Sequence, residues 1–283
     1  MLVDAPFDIF VDPAALAPGA GELHVTRAGS ASVVSRARAA SPLRLLLPRN
    51  HGRAAWVFTS TYGGGLVGGD AIALDVSVGD GASALVSSQA STKVYRSSRG
   101  VTSTLHARVG SGAMLALLPD PVACFAASQY RQSQRFDLAP DAGLVCLDWM
   151  TSGRRARGER WAFDDYRTSL GVRVGGQLVC HDAVTLSAAD GALVERFDRF
   201  DVLATLVVVG PCFRQACDRL VEAHAQRGVD RRADTVVAVA PLTKTGALVR
   251  VAGRTVEDVG SVVRGALDFL PPMLGDDPWT RKW

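Results

Sequence analysis

The sequence predicts a mainly β fold, in which one large β-rich body is followed by two α-helices near the C-terminus. Apolar and polar residues alternate along residues 71–78 and 101–109, which is typical of strands with one buried face. Helical spacing of apolar residues appears only beyond residue 211. A chain of 283 residues is within the size range of a single all-β domain. We therefore expect one domain over 1–283, β-rich over 20–210 and helix–hairpin–helix over 211–283.

Glycine-containing turns separate the predicted strands of the β-rich region. They are Gly79-Asp80-Gly81, Gly110-Ser111-Gly112, Asp141-Ala142-Gly143, Gly175-Gly176 and Asp190-Gly191. Such residues supply the positive-φ positions of tight turns between antiparallel strands. The pattern predicts a β-helix-like body or a series of antiparallel hairpins, and no internal sequence repeat is detected.

The C-terminal region mixes helical and strand patterns. Apolar residues recur at helical spacing from Phe213 onwards, and two strand patterns follow over 235–240 and 247–251. Thr255, with an acidic residue three positions later, resembles the start of a capped helix. We expect that helix to end at Pro271-Pro272, because proline cannot continue a helix.

Composition excludes several classes of protein. A net charge of +3 and a charged fraction of 21% do not require a nucleic-acid or anionic-membrane partner. The longest apolar run, Val202 to Val209, is far shorter than the ~20 residues of a membrane span. Met1 to Pro6 lack the basic start of an export signal, and five cysteines without CxxC spacing indicate reduced thiols. We expect a cytoplasmic protein.

The most conspicuous motif is the glycine-rich segment that runs from Thr61 to Asp70. It contains GxGxxG at Gly63, Gly65 and Gly68, which would fit a dinucleotide-binding loop if a helix followed. An alternating strand follows instead, and no Lys-Ser/Thr pair completes a phosphate loop. A glycine-permitted bend explains the backbone, but it leaves the role of Asp70 open.

Three further segments carry candidate functional residues. Lys93, Tyr95 and Arg96 lie in a short strand pattern, where cross-strand ion pairing competes with a functional role. Asp120 lies between two prolines that fix a rigid corner. Four arginines and Glu159 lie within residues 153–160, and the scarcity of neighbouring aromatics favours protein contact or internal ion pairing over nucleic acid.

No metal cage or catalytic set is apparent from residue spacing. The five histidines are scattered without HxH or HxxxH pairs, and no GxSxG segment is present. Cys180 and His181 are adjacent on a predicted strand and so point to opposite faces. Cys212 and Cys217 diverge around a helix. These patterns favour no tightly bound cofactor.

Taken together, four ordered motifs resemble those of the UreD family of urease accessory proteins, also called UreH. They are Gly63-Gly-Gly-Leu-Val-Gly-Gly-Asp70, Thr92-Lys-Val-Tyr-Arg96, Leu118-Pro-Asp-Pro121 and Gly153-Arg-Arg-Ala-Arg-Gly-Glu159. The similarity also includes residues 21–26 and 42–44, and it weakens after about residue 210. It covers about three quarters of the chain.

The resemblance implies a non-enzymatic chaperone for the maturation of urease. It implies as partners a UreF-type protein, a UreG-type GTPase and apo-urease, with transient Ni²⁺ as cargo. Members of the family are thought to pass Ni²⁺ through a water-filled internal passage. Carried onto this sequence, Asp70 and Glu159 are the candidates for lining such a passage, with Lys93 and Arg157 as charge partners. Tyr95, Arg96, Asp120 and Arg154 are supporting motif residues.

Two other classes of function remain open from the sequence. A β-rich hydrolase would use Asp70 and Glu159 as paired carboxylates, at a separation that only a structure can give. A carbohydrate- or peptide-binding module would need a cluster of exposed aromatics, and the aromatic residues of this chain are dispersed.

Overall fold

The computed structural model describes residues 16–49, 52–225, 228, 230 and 232–280. The residues used above to exclude an export signal, 1–6, lie outside these ranges, as do residues 281–283. Strands dominate the described chain, and two of its helices lie near the C-terminus, so the predicted fold class is confirmed.

The strands are β1 (Ala20–Ala28), β2 (Ala31–Ala39), β3 (Leu43–Leu46), β4 (Ala55–Thr61), β5 (Ala71–Val78), β6 (Ser83–Ser88), β7 (Thr92–Val94), β8 (Val101–Val109), β9 (Met114–Leu118), β10 (Val122–Cys124), β11 (Gln129–Leu138), β12 (Gly143–Thr151), β13 (Asp165–Val174), β14 (Gln177–Ser187), β15 (Val202–Val209), β16 (Thr235–Pro241) and β17 (Gly246–Gly253). The α-helices are α1 (Leu193–Phe197), α2 (Arg214–His224), α3 (Val256–Ala266) and α4 (Leu270–Leu274).

The strands form two sheets that face each other. Sheet A has the order β14-β13-β11-β8-β5-β1-β2, and the main path of sheet B has the order β16-β17-β15-β12-β9-β6-β4-β3. The central pairs of both sheets are parallel, including β5 with β8 and β6 with β9. Successive strands from β4 to β13 alternate between the sheets, apart from the short β7 and β10. The chain therefore winds as a parallel β-coil, with antiparallel strands at its edges.

Three of the predicted hairpin turns are instead corners of this coil. Gly79–Gly81, Gly110–Gly112 and Asp141–Gly143 each join a strand of sheet A to a strand of sheet B. The corners stack, because the Ser111 N–H donates to Asp80 Oδ1 at 2.9 Å, and its hydroxyl donates to Asp141 Oδ2 at 2.8 Å. Glycine supplies tight turns in both arrangements, so the sequence pattern could not distinguish a corner from a hairpin.

The other glycine turns fall into two kinds. Gly175-Gly176 does join an antiparallel pair, β13 and β14, as predicted. Asp190-Gly191 leads into helix α1 and does not form a hairpin.

The C-terminal helices α2, α3 and α4 pack on the outer face of sheet B, to which β16 and β17 belong. The predicted hairpin is confirmed as β16 and β17, and the Thr255 side chain accepts a hydrogen bond from the Asp258 N–H at the start of α3. Pro271-Pro272 was expected to end this helix, but α3 already ends at Ala266. The prolines lie in the first turn of α4, where a missing N–H costs no intrahelical bond.

Buried side chains form three apolar clusters. The largest fills the space between the sheets and includes Leu115, Phe136 and Val207. A second lies between sheet B and the C-terminal helices. A third, which includes Leu66 and Tyr130, lies beneath the loops that precede β8, β11 and β13. These clusters define the interior in which the candidate site lies.

We predict that the stacked corners tolerate no added side-chain atom at Gly110. A Cβ there would lie 2.3 Å from Asp80 Oδ1 and 2.9 Å from the Asp80 nitrogen, so the backbone must shift. Gly110→Ala should lower the free energy of unfolding by roughly 1–3 kcal/mol, measured by urea denaturation. Gly171→Ala is the matched control, since nothing lies within 4 Å of its added Cβ. Equal effects of the two substitutions would contradict the stacked-corner geometry.

Candidate functional site: a polar cavity between the sheets

A cavity of about 430 Å³ opens between the two sheets. Its mouth is formed by residues around Arg44 and Tyr62, and the Arg44 guanidinium lies over the Tyr62 ring at 4.8 Å. The polar residues that line it include Thr59, Ser88, Ser103, Asp120, Gln132, Gln134 and Asp148. The cavity therefore carries a band of polar side chains within a lining that also includes apolar residues such as Leu74, Leu105 and Leu117.

The polar lining follows from the register of the sheets. Ser103 pairs with Gln132, and Gln132 pairs with Thr168, so these side chains occupy one row on the inner face of sheet A. On sheet B, Asp148 pairs with Thr205, and Thr205 pairs with Arg250. The two rows face each other between the inter-sheet apolar cluster and the cluster beneath the loops. We call these residues the polar layer.

Asp148 is the centre of this layer. Its Oδ1 accepts a hydrogen bond from Gln132 Nε2 at 2.9 Å, and its Oδ2 accepts one from the Thr168 hydroxyl at 2.8 Å. Burial raises the pKa of this carboxyl, the two hydrogen bonds oppose that shift, and Asp182 adds to it. No cationic side chain of the described chain forms an ion pair with Asp148. A cavity-facing carboxylate without a cation is a site that attracts one.

The neighbouring donors are oriented towards that carboxylate. The Tyr130 hydroxyl donates to Gln132 Oε1 at 3.0 Å, which turns the amide nitrogen of Gln132 to Asp148. Burial raises the pKa of Tyr130, so its hydroxyl keeps its proton as a donor. Asp148 is therefore a preorganised hydrogen-bond acceptor.

Asp120 also lines the cavity. Ser88 Oγ donates to Asp120 Oδ2 at 3.0 Å, and the Asp120 N–H donates to Ser88 Oγ at 2.6 Å. The Trp149 indole N–H donates to the Pro119 carbonyl at 2.8 Å. These bonds fix the corner that the two prolines predicted, and they place a second carboxylate at the cavity wall.

The polar layer ends at an ion pair between the sheets. Arg250 of β17 donates to Asp182 of β14, and the Asp182 side chain is 12% exposed while that of Arg250 is 56% exposed. This pair lies at the opposite end of the layer from the mouth around Arg44 and Tyr62. The layer thus extends from the mouth of the cavity to an ion pair that lies beyond the cavity lining.

Asp70 lies outside the cavity. Its Oδ2 accepts a hydrogen bond from the Val67 N–H at 2.8 Å, which closes the glycine loop on itself. Strand β5 follows at Ala71, as the sequence predicted when it excluded a dinucleotide fingerprint. The contacts of Asp70 favour a structural role, and its place in a nickel path stays a prediction.

Glu159 also lies outside the cavity, and its partner is not the one expected. Arg154 forms two hydrogen bonds with its carboxylate, one of them at 2.9 Å, and the Ala126 N–H donates to it at 3.1 Å. The bonds from Arg154 hold the pKa of Glu159 below its ordinary value, and the charge of Arg157 contributes to this. Neither Lys93 nor Arg157 forms an ion pair within the described ranges, whereas Arg154 does, so the roles of Lys93 and Arg157 as charge partners stay predictions.

The remaining motif residues have separate roles. The Tyr95 and Phe125 rings meet edge-on, with 5.2 Å between their centroids. The Arg154 guanidinium lies over the Phe125 ring, 4.1 Å from its centroid. Lys93 and Arg96 are exposed. Tyr95 and Arg154 therefore anchor loops, whereas Lys93 and Arg96 project from them.

Asp148, Gln132 and Thr168 were not identified as site residues from the sequence. A signal did exist for Asp148, since it is the one acid in the run from Gly143 to Met150, within a strand that is otherwise buried. Gln132 and Thr168 carry no such signal, because the sequence of one strand does not indicate which residues of the neighbouring strands will lie beside it. Within the described ranges no group of three His, Cys, Asp or Glu residues is placed to hold a metal ion.

Fold and site together define a two-sheet parallel β-coil protein with a cavity between its sheets, into which the half-buried acceptor Asp148 faces. The family profile described as UreD urease accessory protein matches residues 17–283, beyond the limit of about residue 210 that the motifs indicated. A urease accessory protein UreD of Sorangium cellulosum is 52% identical over 265 residues, covering 94% of this chain and 84% of the relative. The Anaeromyxobacter protein of that name is 44% identical, covering 99% of this chain and 96% of its own.

The similarity extends to plants. A urease accessory protein D of Oryza sativa subsp. indica is 34% identical over 296 residues, covering 94% of this chain and 97% of its own length. The chain belongs to the UreD family of urease accessory proteins.

We predict that the pKa of Asp148 gives a pH-dependent difference between the wild type and Asp148→Asn. Because burial raises this pKa above its ordinary 3.8, the carboxyl contributes its full stability only below that pH and loses it as the pH rises through the raised value. The wild type should therefore gain stability relative to Asp148→Asn as the pH is lowered from about 7 to about 4, measured by urea denaturation.

Asp141→Asn serves as a control of opposite sign. The Ser111 hydroxyl lowers the pKa of Asp141, so the wild type should lose stability relative to this variant only as the pH falls through 3.8 and below, and should keep it down to about pH 4. The same trend for both variants would contradict the buried environment assigned to Asp148.

Proposed function

We propose that this chain is a non-enzymatic accessory protein that passes Ni²⁺ to apo-urease through the polar layer between its sheets. It does so together with a UreF-type protein and a UreG-type GTPase. Its relatives are urease accessory proteins, which supports a role for this chain in the maturation of urease. The cavity supports the proposed passage of Ni²⁺.

One observation carries the nickel proposal: Asp148 is a cavity-facing carboxylate with oriented donors and no ion-pair partner in the described part of the chain. Ionised carboxylates are rarely buried without a cation or metal, because the cost of removing the charge from water is high. A passing divalent ion supplies that missing charge. Ni²⁺ would neutralise Asp148 while inside the cavity.

The donor chemistry of the cavity favours transfer over storage. Its lining offers carboxylate, amide and hydroxyl oxygens, whereas tight sites for late transition metals use imidazole and thiolate ligands. Cys146 borders the layer, where it donates to Gln134 Oε1, and burial raises its pKa well above 9.0. A protonated thiol is a poor metal ligand. An ion in this cavity would therefore exchange readily, and no cofactor is held permanently.

We place the entry and exit of the ion at the two ends of the polar layer. The exposed residues Arg44 and Tyr62 line the cavity at one end, and the Asp182–Arg250 ion pair, which is not part of the cavity lining, lies at the other. The partner that supplies the ion contacts one end, and apo-urease receives it from the other. All five cysteines are free thiols, which is consistent with a cytoplasmic location for this assembly.

A hydrolase using Asp70 and Glu159 has less support. Asp70 is bonded to the Val67 N–H, and Glu159 is bonded to Arg154 and the Ala126 N–H. Neither carboxylate lines the cavity, so no substrate site is associated with the pair.

We predict that Asp148→Asn lowers nickel incorporation while the accessory complex still assembles. The amide keeps the volume of the side chain, can still accept from Gln132 and can donate to the rotated Thr168 hydroxyl, but it removes the charge that attracts the ion. The nickel content of urease should fall several-fold in cells that co-express the urease operon, measured by metal analysis of purified urease. Pull-down of the UreF-type partner should be unchanged.

Asp70→Asn and Glu159→Gln are the matched variants, since each removes one carboxylate outside the cavity. If either variant lowers the nickel content of urease while the accessory complex still assembles, the result would support the path predicted from the sequence. The nickel passage would then lie at the loops that carry Asp70 and Glu159. Normal nickel content in Asp148→Asn would overturn the role proposed for the polar layer.

A further inference from the structure

Three of the four sequence motifs meet at one end of the coil. The Leu66 N–H donates to the Lys93 carbonyl at 2.8 Å, and the Ser97 N–H donates to the Ala127 carbonyl at 3.2 Å. The Ala126 N–H in turn donates to Glu159. These bonds link the glycine loop, residues 93–100, residues 124–128 and the arginine-rich loop into one continuous surface. We call it the basic loop face.

The glycine loop is fitted to its neighbours closely. A Cβ on Gly65 would lie 2.5 Å from the Tyr95 ring and 2.8 Å from the Lys93 carbonyl oxygen. A Cβ on Gly68 would lie 1.6 Å from Ser97 Oγ. The loop therefore packs against residues 93–97 without space for side chains, which holds this part of the face in one arrangement.

Charge on the basic loop face is unbalanced. Its acids are engaged within it, since Asp70 accepts from the Val67 N–H and Glu159 pairs with Arg154. Lys93, Arg96 and Arg157 are exposed, and none of these cations forms an ion pair with a described acid. The net charge of the whole chain is only +3, so this local excess is not a consequence of composition.

An exposed apolar side chain lies on the same face. Val67 is 54% exposed, although it follows Leu66, which is 1% exposed. The glycines on both sides hold the loop so that Leu66 points inward and Val67 outward. An apolar residue among arginines is typical of protein interfaces, whose cores are apolar and whose surroundings are enriched in arginine.

We propose that the basic loop face docks an acidic surface of a protein partner in the urease-maturation assembly, with Val67 as the apolar contact and Lys93 and Arg96 as charge contacts. This inference rests on the proposed function for the identity of the assembly. The exposed apolar tip and the fixed loop geometry favour a protein over a nucleic acid, which would instead be bound by stacking aromatics along a basic groove.

The test uses the full chain with Lys93→Glu and Arg96→Glu combined, compared with Arg214→Glu and Arg219→Glu combined. Both control residues are exposed on α2. The control variant therefore reverses the same amount of charge at a site outside the basic loop face. Binding to immobilised UreF-type protein and to immobilised apo-urease is measured by biolayer interferometry at low and high salt. Thermal melting confirms that both variants fold.

Binding to one of the two partners should weaken roughly ten-fold or more in the Lys93/Arg96 variant and should lose much of its salt dependence. The α2 control should bind as the wild type does. Val67→Ser should weaken the same interaction without changing its salt dependence.

Unchanged binding of the Lys93/Arg96 variant to both partners overturns the docking surface and leaves the proposed function standing. A wild-type chain that binds neither partner overturns both. The proposal is also overturned if the wild type binds a single-stranded RNA probe and the Lys93/Arg96 variant loses that binding but keeps its binding to proteins. The basic loop face would then recognise phosphate.

Discussion

Parallel, in-register stacking of successive coils is the constraint on which the rest of this structure depends. Residues at the same place in neighbouring coils lie side by side, as Asp80 and Ser111 do across 31 positions and Ser111 and Asp141 do across 30. The inner face of each sheet consequently consists of rows rather than isolated side chains. A polar residue placed in one row brings a whole polar layer together, and Ser103, Gln132 and Thr168 are the result in sheet A.

The polar layer carries an energetic cost that packing alone does not explain. Burying an ionised carboxylate costs several kcal/mol, and each hydrogen bond to a charged group offsets about 1.5–3 kcal/mol. The bonds from Gln132 and Thr168 keep Asp148 ordered, but burial still raises its pKa, so the offset is incomplete. An apolar residue would fit better between the two flanking clusters if stability alone mattered. The remaining imbalance is of the sign that a divalent cation would correct, and the proposed transfer function rests on this imbalance.

The sequence predicted local features better than features that depend on which distant strands pair with each other. Period-two alternation located β5 and β8, and the Thr255 cap located the start of α3, because both signals arise from neighbouring residues. The corners at Gly79–Gly81 and Gly110–Gly112 were predicted as hairpins, since glycine permits either turn and the choice is decided by distant strand pairing. The same limit applies to Glu159, whose partner was expected at Lys93 or Arg157 and is Arg154. Loop conformation, rather than sequence distance, decides which of several nearby arginines reaches a carboxylate.

The basic loop face and the cavity share one segment of chain. Gly63, Gly64 and Leu66 line the cavity, while Val67, the next residue, projects from the outer surface. Leu66 also belongs to the apolar cluster that contains Tyr130, and the Tyr130 hydroxyl begins the hydrogen-bond chain that ends at Asp148. A protein bound at Val67 and an ion held at Asp148 would therefore act on opposite sides of the same loop. The loop has no space for side chains at Gly65 and Gly68, because both residues pack directly against residues 93–97. These two glycines of the motif are thus explained by close packing, and the strand that follows the loop provides no helix N-terminus for a phosphate.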